Sequence, residues 1–300
     1  MNHREQTKEV LGVIDVGSNS VRALVLADGK FLYKDLITTR LGEGLAKTGE
    51  IAPAAANRTI DAISFFAKKI GGFSPSAVYA FATEAVRSGK NGEAFRQSVL
   101  VKTGVLLDVL SGEEEGEIGL LGALDGKDGG IIDIGGASTE ISAAKNGKMI
   151  YSHSLPLGAV RLYDGCGENE EKLSETISRK LPEYGQVPAE VDYCAIGGTA
   201  TAIAAVDLKL VKYDWKAVDG HVLTVSDIER NLALFRKTSV KERISRLRMT
   251  PKRAEIIVGG ATLLLSIMKY AGISSVRVSE SDNMLGYLRK KVFGEGYEKK

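Results

Sequence analysis

Val13-Ile14-Asp15-Val16-Gly17-Ser18-Asn19-Ser20, continuing to Asp28-Gly29-Lys30, decides the reading of this chain, because the chain writes the pattern twice. The second copy is Ile131-Ile132-Asp133-Ile134-Gly135-Gly136-Ala137-Ser138, continuing to Asn146-Gly147-Lys148. One offset of 118 residues carries Asp15 onto Asp133, Gly17 onto Gly135, Ser20 onto Ser138 and Lys30 onto Lys148. Each copy reads as an apolar strand, a Gly/Ser-rich turn, a second strand and an Asp-Gly or Asn-Gly hairpin turn. A carboxylate closing a buried strand, followed by small residues, suits a metal-bound phosphate. The small residues let backbone N–H groups approach phosphate oxygens, and the carboxylate can hold a divalent cation. One such turn is commonly an ordinary tight turn. Two at a single offset point to a phosphate site between related half-domains.

Outward from these hairpins, a third strand is expected near Phe31–Thr38, a helix over Pro53–Ile70 and a strand over Ala77–Ala82. A helix over Gly92–Lys102, a strand over Val105–Leu110 and a helix opening at Ser111 follow. The order β-β-β-α-β-α-β is that of half an actin-like, ribonuclease H-like domain. Asp125–Gly130, with three glycines and three charges, reads as a hinge before the second copy. Later strands are expected at Tyr193–Ile196 and Ser275–Val278, and helices at Thr199–Val206, Val225–Lys237 and Pro251–Tyr270. The expected class is therefore α/β: two such domains with an active-site cleft between them. Domain I would span 1–126, joined by a C-terminal helix 283–300, and domain II 127–282.

Composition sets outer bounds. At 44% hydrophobic and 26% charged over 300 residues, the chain is a soluble globular protein of about two domains. Met1–Glu9 lacks an apolar signal core, and no apolar run is read as approaching the ~20 residues that span a bilayer. Two well-separated cysteines, Cys166 and Cys194, suit a reducing cytoplasm and form neither a disulfide framework nor a zinc motif. Three scattered histidines (His3, His153, His221) offer no metal cluster. Net charge is only +2, yet Arg236 to Arg253 holds eight basic residues against one acid, Glu242. That run is either a solvated helix face or a runway for a polyanion. Nucleic acid is not expected, since no recognition module or interleaved aromatics accompany it.

The chemistry concentrates in Ser111-Gly-Glu-Glu-Glu115. Ser111 with Glu114 forms a capping box, which gives Glu114 a structural job. Glu115 lies about a hundred degrees further round, and its i+4 and i+7 neighbours are Gly119 and Gly122. A carboxylate above that bare strip can face a cleft and a water; the alternative is an acidic first turn favourable to the helix dipole.

With Asp15-Val-Gly-Ser-Asn-Ser20, Ser111–Glu115, Asp133-Ile-Gly-Gly-Ala-Ser-Thr-Glu140, Leu155-Pro-Leu-Gly-Ala-Val-Arg-Leu162, Ile196-Gly-Gly-Thr-Ala200 and Arg253–Ala261 in order, the chain resembles the Ppx/GppA phosphatases. These are the exopolyphosphatases and guanosine pentaphosphate phosphohydrolases of the actin-like ATPase superfamily. The resemblance covers roughly residues 10–290. It implies that Glu115 is the general base, and that Asp133 and Glu140, with Asp15 opposite, hold Mg2+ or another divalent cation. It implies that Gly17, Ser18, Asn19 and Ser20 form one phosphate loop, and Gly135, Gly136, Ala137, Ser138 and Thr139 the other. Arg87, ending Thr83–Arg87, would be a phosphate-binding arginine of the catalytic set. Gly197, Gly198 and Thr199 match a nucleotide-base turn, or are a glycine-rich helix start. A homodimer is also implied.

The chain departs from the family pattern at Ala137, at Gly116 and in Asp282-Asn283-Met284-Leu285-Gly286, and it ends without a His-Asp helical domain. The expected function is Mg-dependent exopolyphosphatase, with guanosine pentaphosphate hydrolysis as the alternative. From different classes come an ATP-dependent kinase or ATPase and a polyphosphate-binding sensor.

Overall fold

The computed structural model describes residues 9–294 together with Gly296, Glu298 and Lys299. Met1–Lys8, and with them His3 and the N-terminal expectation, lie outside the described residues. The first half runs β1 (Val10–Val16), β2 (Ser20–Ala27), β3 (Lys30–Thr38), α1 (Leu45–Thr48), α2 (Pro53–Gly71), β4 (Ala77–Ala82), α3 (Glu84–Ser88), α4 (Gly92–Thr103), β5 (Asp108–Val109) and α5 (Gly112–Leu124). The second begins with β6 (Gly129–Ile134), β7 (Thr139–Lys145), β8 (Lys148–Leu155), α6 (Ala159–Cys166), α7 (Glu170–Lys180) and β9 (Tyr193–Ile196). It continues with α8 (Gly197–Asp207), α9 (Trp215–Val218), β10 (Val222–Thr224), α10 (Val225–Lys237), α11 (Val240–Ser245), α12 (Pro251–Ala271), β11 (Ser275–Val278), α13 (Asn283–Phe293) and β12 (Glu298–Lys299).

Two sheets result, with orders β3-β2-β1-β4-β5 and β10-β11-β9-β6-β7-β8-β12. Each contains an antiparallel three-strand meander whose first strand also pairs in parallel with a later one, β4 with β1 and β9 with β6. Both hairpin turns use two consecutive positive φ values, 49° and 72° at Asp28-Gly29 and 54° and 71° at Asn146-Gly147. That pair is the type I′ signature, whose twist matches the flanking strands. β5 is shorter than expected, since only Asp108 and Val109 pair with β4, opposite Phe81 and Ala82.

Helix α2 lays Ile60, Ile63, Phe66 and Ile70 on one face of the first sheet with Ile14 and Val16. The other face is covered by α13 and α5, through Met284, Tyr287, Leu288 and Ile118 against Leu11, Val13, Leu24 and Phe81. The opposite side of α5 places Leu120, Leu121 and Leu124 on Ile131, Cys194 and Ile196 of the second sheet. So α5 lies between the sheets, which explains why it is apolar all round rather than on one stripe. Cys194 is a core residue there.

Three expectations are corrected. The C-terminal helix stops at Phe293, where Gly294 turns left-handed at φ 66°, and does not run to 300. The glycine strip beside Glu115 is not an opening: a Cβ on Gly122 would lie 2.1 Å from Asp282 O, and one on Gly286 only 1.7 Å from Ile118 O. These glycines let α5 and α13 touch backbone to backbone. Finally, α12 has the length of a membrane span and a mean hydropathy of 1.4 over an 18-residue window, contrary to the sequence reading. That window is 67% buried, with Ile257, Val258, Leu263, Leu264 and Ile267 at the centre of the second core.

Candidate active site

The two repeated turns close in the same way: Gly17 N donates to Ser20 O and Gly135 N to Ser138 O, both at 3.0 Å. Each loop is gripped from behind by its carbonyls. Ser18 O accepts from Gly42 N, and Asn19 O from Thr39 N and Arg40 N; Gly135 O accepts from Ala159 N, and Gly136 O from Val160 N and Arg161 N. No cis peptide occurs among the described residues, so the amides of Asn19, Gly136 and Ala137 point opposite the gripped carbonyls. The loops also meet, since a Cβ on Gly136 would sit 3.0 Å from both Ser18 Cβ and Asn19 N. Both loops line a cavity of about 770 Å3, together with Asp15, Glu115, Asp133 and Glu140.

Strand register explains the acids. Asp133 faces Glu140 across β6–β7, so two carboxylates share one rung, and neither forms an ion pair among the described residues. Asp133 accepts from Asn283 Nδ2 at 2.8 Å, and Glu140 from Ser154 Oγ at 2.6 Å. Burial, then the Asp133 charge, pushes Glu140 up to about 8. Burial likewise raises Asp133, against the pull of Arg22 and the Asn283 hydrogen bond. Gly197, at φ 83°, fits because a Cβ there would sit 2.7 Å from Asp133 Oδ1.

In the first half the matching rung pairs Asp15 with Arg22. Arg22 Nε donates to Asp15 Oδ2 at 2.7 Å, Nη2 reaches the same oxygen, and Nη1 donates to Asp282 Oδ2 at 2.6 Å. Burial lifts Asp15 to about 6, with Arg22 holding it down. Asp282, despite its burial, is kept below its ordinary value by Arg22 and Lys34. Arg22 went unread in the sequence, although the same 118-residue offset that joins the hairpins lays it on Glu140.

Glu115, 5% exposed, stands at the start of α5, whose capping box is formed by Ser111 and Glu114. Burial and the nearby Glu140 charge hold its pKa well above the ordinary carboxylate value, with Arg87 opposing. Arg87 Nη1 donates to Glu115 Oε2 and Nη2 to Glu84 Oε2, each at 2.7 Å, while Nη1 also reaches Leu110 O. The structure thus brings Arg87, on α3, to Glu115; α3 is a helix unforeseen in the sequence. Ala137 and Thr139 are not among the cavity-lining residues; the Thr139 hydroxyl donates to Leu157 O at 2.5 Å.

Gly198 lies beneath Arg253, a residue whose motif is plain in the sequence but whose role is not. A Cβ on Gly198 would be 2.2 Å from Arg253 Nη2. Arg253 lines the cavity, has no carboxylate partner among the described residues, and is lowered to about 10 by burial. The rest of the basic run is mostly spoken for: Arg236 pairs with Glu170 at 2.6 Å, Arg246 with Glu242 at 3.2 Å, and the fully buried Arg243 holds Glu168 and two backbone carbonyls. The cavity's outer wall is apolar and aromatic, with Phe31, Leu36, Val206, Tyr213 and Trp215, the last edge-on to Phe31 at 6.1 Å.

A profile of the Ppx/GppA phosphatase family matches residues 26–284. Exopolyphosphatase 1 of Mycobacterium bovis is 37% identical over 95% of this chain and 89% of that protein. A bifunctional 3-dehydroquinate synthase/phosphatase of Fusobacterium nucleatum is 31% identical over 93% of this chain, which spans 46% of that protein's length. Among solved structures, a Ppx/GppA family member from Aquifex aeolicus superposes with a TM-score of 0.78 at 29% identity, over 95% of this chain and 98% of that one.

Proposed function

The chain belongs to the Ppx/GppA phosphatase family, and on that premise we propose that it is an exopolyphosphatase, releasing terminal phosphate from inorganic polyphosphate by Glu115-activated water. The observation that carries this reading is the facing of a raised, buried Glu115 and the Asp133–Glu140 rung toward two touching glycine loops.

Phosphoryl transfer asks a protein mainly to position groups and neutralise charge. The amides of Asn19 and Gly136 bind oxygens of the terminal phosphoryl, with the Ser18 and Ser138 hydroxyls beside them. Glu115 orients a water in line and accepts its proton on a carboxylate oxygen; a carboxylate raised by burial is a stronger proton acceptor than an ordinary one. Arg87 holds that carboxylate in place and opposes the rise. Closure about Asp125–Gly130 would exclude bulk water.

The donor set fits a hard divalent cation such as Mg2+: buried carboxylate oxygens whose ionised forms are crowded and undercompensated. Asp133 and Glu140 would hold it, with Asp15 opposite, and it would neutralise charge on the phosphoryl oxygens. Among the described residues no three acids or histidines gather closely enough to cage a metal alone. Mg2+ commonly takes one or two carboxylates, with waters and phosphate oxygens completing its shell. A reducing cytoplasmic location, supported by free Cys166 and Cys194, and a homodimer complete the proposal.

The aromatic outer wall favours a second substrate reading. Inorganic polyphosphate needs no apolar surface, whereas the base of guanosine pentaphosphate would use Phe31, Tyr213 and Trp215 beside Arg253. Phosphate release with Mg2+ from long polyphosphate, short polyphosphate and guanosine pentaphosphate, compared side by side, tests both. Dominant release from polyphosphate is expected; preference for the nucleotide replaces the first reading with the second, and silence on all three overturns both.

A further inference from the structure

Arg40 lies in the loop after β3, at the seam between the halves and directly behind the first phosphate loop. Its backbone is left-handed at φ 52°, and its N–H donates to Asn19 O at 2.9 Å. The side chain is only 7% exposed. It crosses to the second half, where Nη1 pairs with Glu255 Oε2 at 2.8 Å and the guanidinium carbon lies 5.4 Å from the centre of the Tyr163 ring.

Nε and Nη2 of this buried arginine have no hydrogen-bond partner among the described residues. They are not two arbitrary donors. They form one edge of the guanidinium, the parallel fork that matches two oxygens of a carboxylate or phosphate. Buried polar groups are normally paired, and a charged donor left idle is costly. On the adjacent Thr39 the buried hydroxyl, which can also donate, likewise lacks a partner among the described residues. Local charge leaves a surplus as well: Arg40 and Lys252 stand against the single carboxylate of Glu255, from which the Lys252 Nζ is 4.0 Å away.

We propose that the Nε–Nη2 edge of Arg40 binds a phosphate oxyanion, with the Thr39 hydroxyl as a further donor. Nothing in the roles assigned to the cleft uses this position. A tetrahedral anion matches its chemistry, because one ligand would occupy both parallel donors and offset the surplus charge. The ligand is either free orthophosphate or an internal phosphoryl group of a bound polyphosphate. The second source rests on the exopolyphosphatase reading, whereas the first does not.

Crystals of the whole protein soaked in tungstate, a heavy tetrahedral phosphate mimic, test this directly. An anomalous peak is expected within hydrogen-bonding distance of Arg40 Nε and Nη2, beside a separate peak at the glycine loops. Arg40→Lys, which keeps the charge and loses the fork, should lose the first peak and keep the second. In solution, equilibrium dialysis with radiolabelled orthophosphate should give one more equivalent per wild-type chain than per R40K chain. Short polyphosphate soaked into Glu115→Gln distinguishes the sources: density continuous with the cleft means a phosphoryl chain, and isolated density means orthophosphate. Tungstate in the cleft alone, with only a water at Arg40, overturns the proposal. The wild-type soak decides this even if R40K folds poorly. Failure of every substrate in the phosphate-release assay would remove the enzymatic reading while leaving the tungstate result intact.

Discussion

Arg87 donates through Nη1 to Oε2 of Glu115 at 2.7 Å, so the proposed base on α5 is held by a cation carried on a different helix, α3. Glu115→Gln keeps the shape and loses the proton acceptor. Turnover should fall by ~10²–10⁴, the usual cost of losing a general base, with substrate affinity nearly unchanged. Steady-state kinetics and substrate binding measured on the same preparation check this; retained turnover removes Glu115 from the role.

Arg87→Met has a different signature. Arg87 pulls the Glu115 pKa down against burial, so its loss raises that pKa further. The base then becomes protonated at higher pH, and the acid limb of the activity profile should move up. On that limb the rate follows the ionised fraction of the base, so a tenfold rise in its proton affinity should cost about tenfold in rate. A uniform drop without displacement of the limb would assign Arg87 to substrate binding instead.

Stability should depend on pH with a definite sign. Glu140 titrates near 4.5 when unfolded and at about 8 when folded, and Asp15 moves from 3.8 to about 6. Between each pair of values the folded state binds more protons than the unfolded, so their contribution is present at low pH and lost as pH rises. Thermal unfolding without added metal should give a lower Tm at pH 8.5 than at pH 5, a gap that a divalent cation narrows by binding the ionised form. Equal Tm values at the two pH values would contradict the crowding of acids seen at this site.

The contact between α5 and α13 can be probed through its glycines. Gly286→Ala places a methyl group against the Ile118 carbonyl and should cost at least the ~1–3 kcal/mol typical of overpacking. Gly71→Ala, at the open C-terminal end of α2, meets nothing within 4 Å and should be neutral or stabilising by up to ~1 kcal/mol. Chemical denaturation of both variants separates a packing requirement from a general intolerance of alanine.

Trp215→Ala distinguishes the two substrate readings. It removes part of the apolar outer wall. KM for guanosine pentaphosphate should rise by roughly 10-fold, in line with ~1–3 kcal/mol for a stacked base, while KM for polyphosphate stays put. Equal effects on both substrates would mean that the wall merely shapes the cleft.

Local rules carried much of the architecture. The type I′ turns, the strands at Ala77–Ala82 and Tyr193–Ile196, and the capping box at Ser111 follow from patterns within a few residues, and the structure contains them as expected. The internal offset similarly located both glycine loops. Long-range packing was less legible. Gly119 and Gly122 read as a bare strip because their neighbour, α13, lies more than 150 residues away, and only the folded chain supplies it. Arg22, Arg253 and Arg40 look like ordinary basic residues until burial deprives them of water, and charge in a sequence carries no burial label. Asp282 and Asn283 appeared only as a departure from the family pattern, yet they bond Arg22 and Asp133.

The placement of α13 has a consequence for how the protein is made. Met284, Tyr287 and Leu288 complete the face of the first sheet, whose strands β1 and β2 are built from residues 10–27. During synthesis that face must therefore wait, uncovered, while the entire second half leaves the ribosome. The earliest strands to emerge are among the last to be finished, and newborn chains stalled before residue 284 should be the form most readily captured by chaperones or lost to proteases.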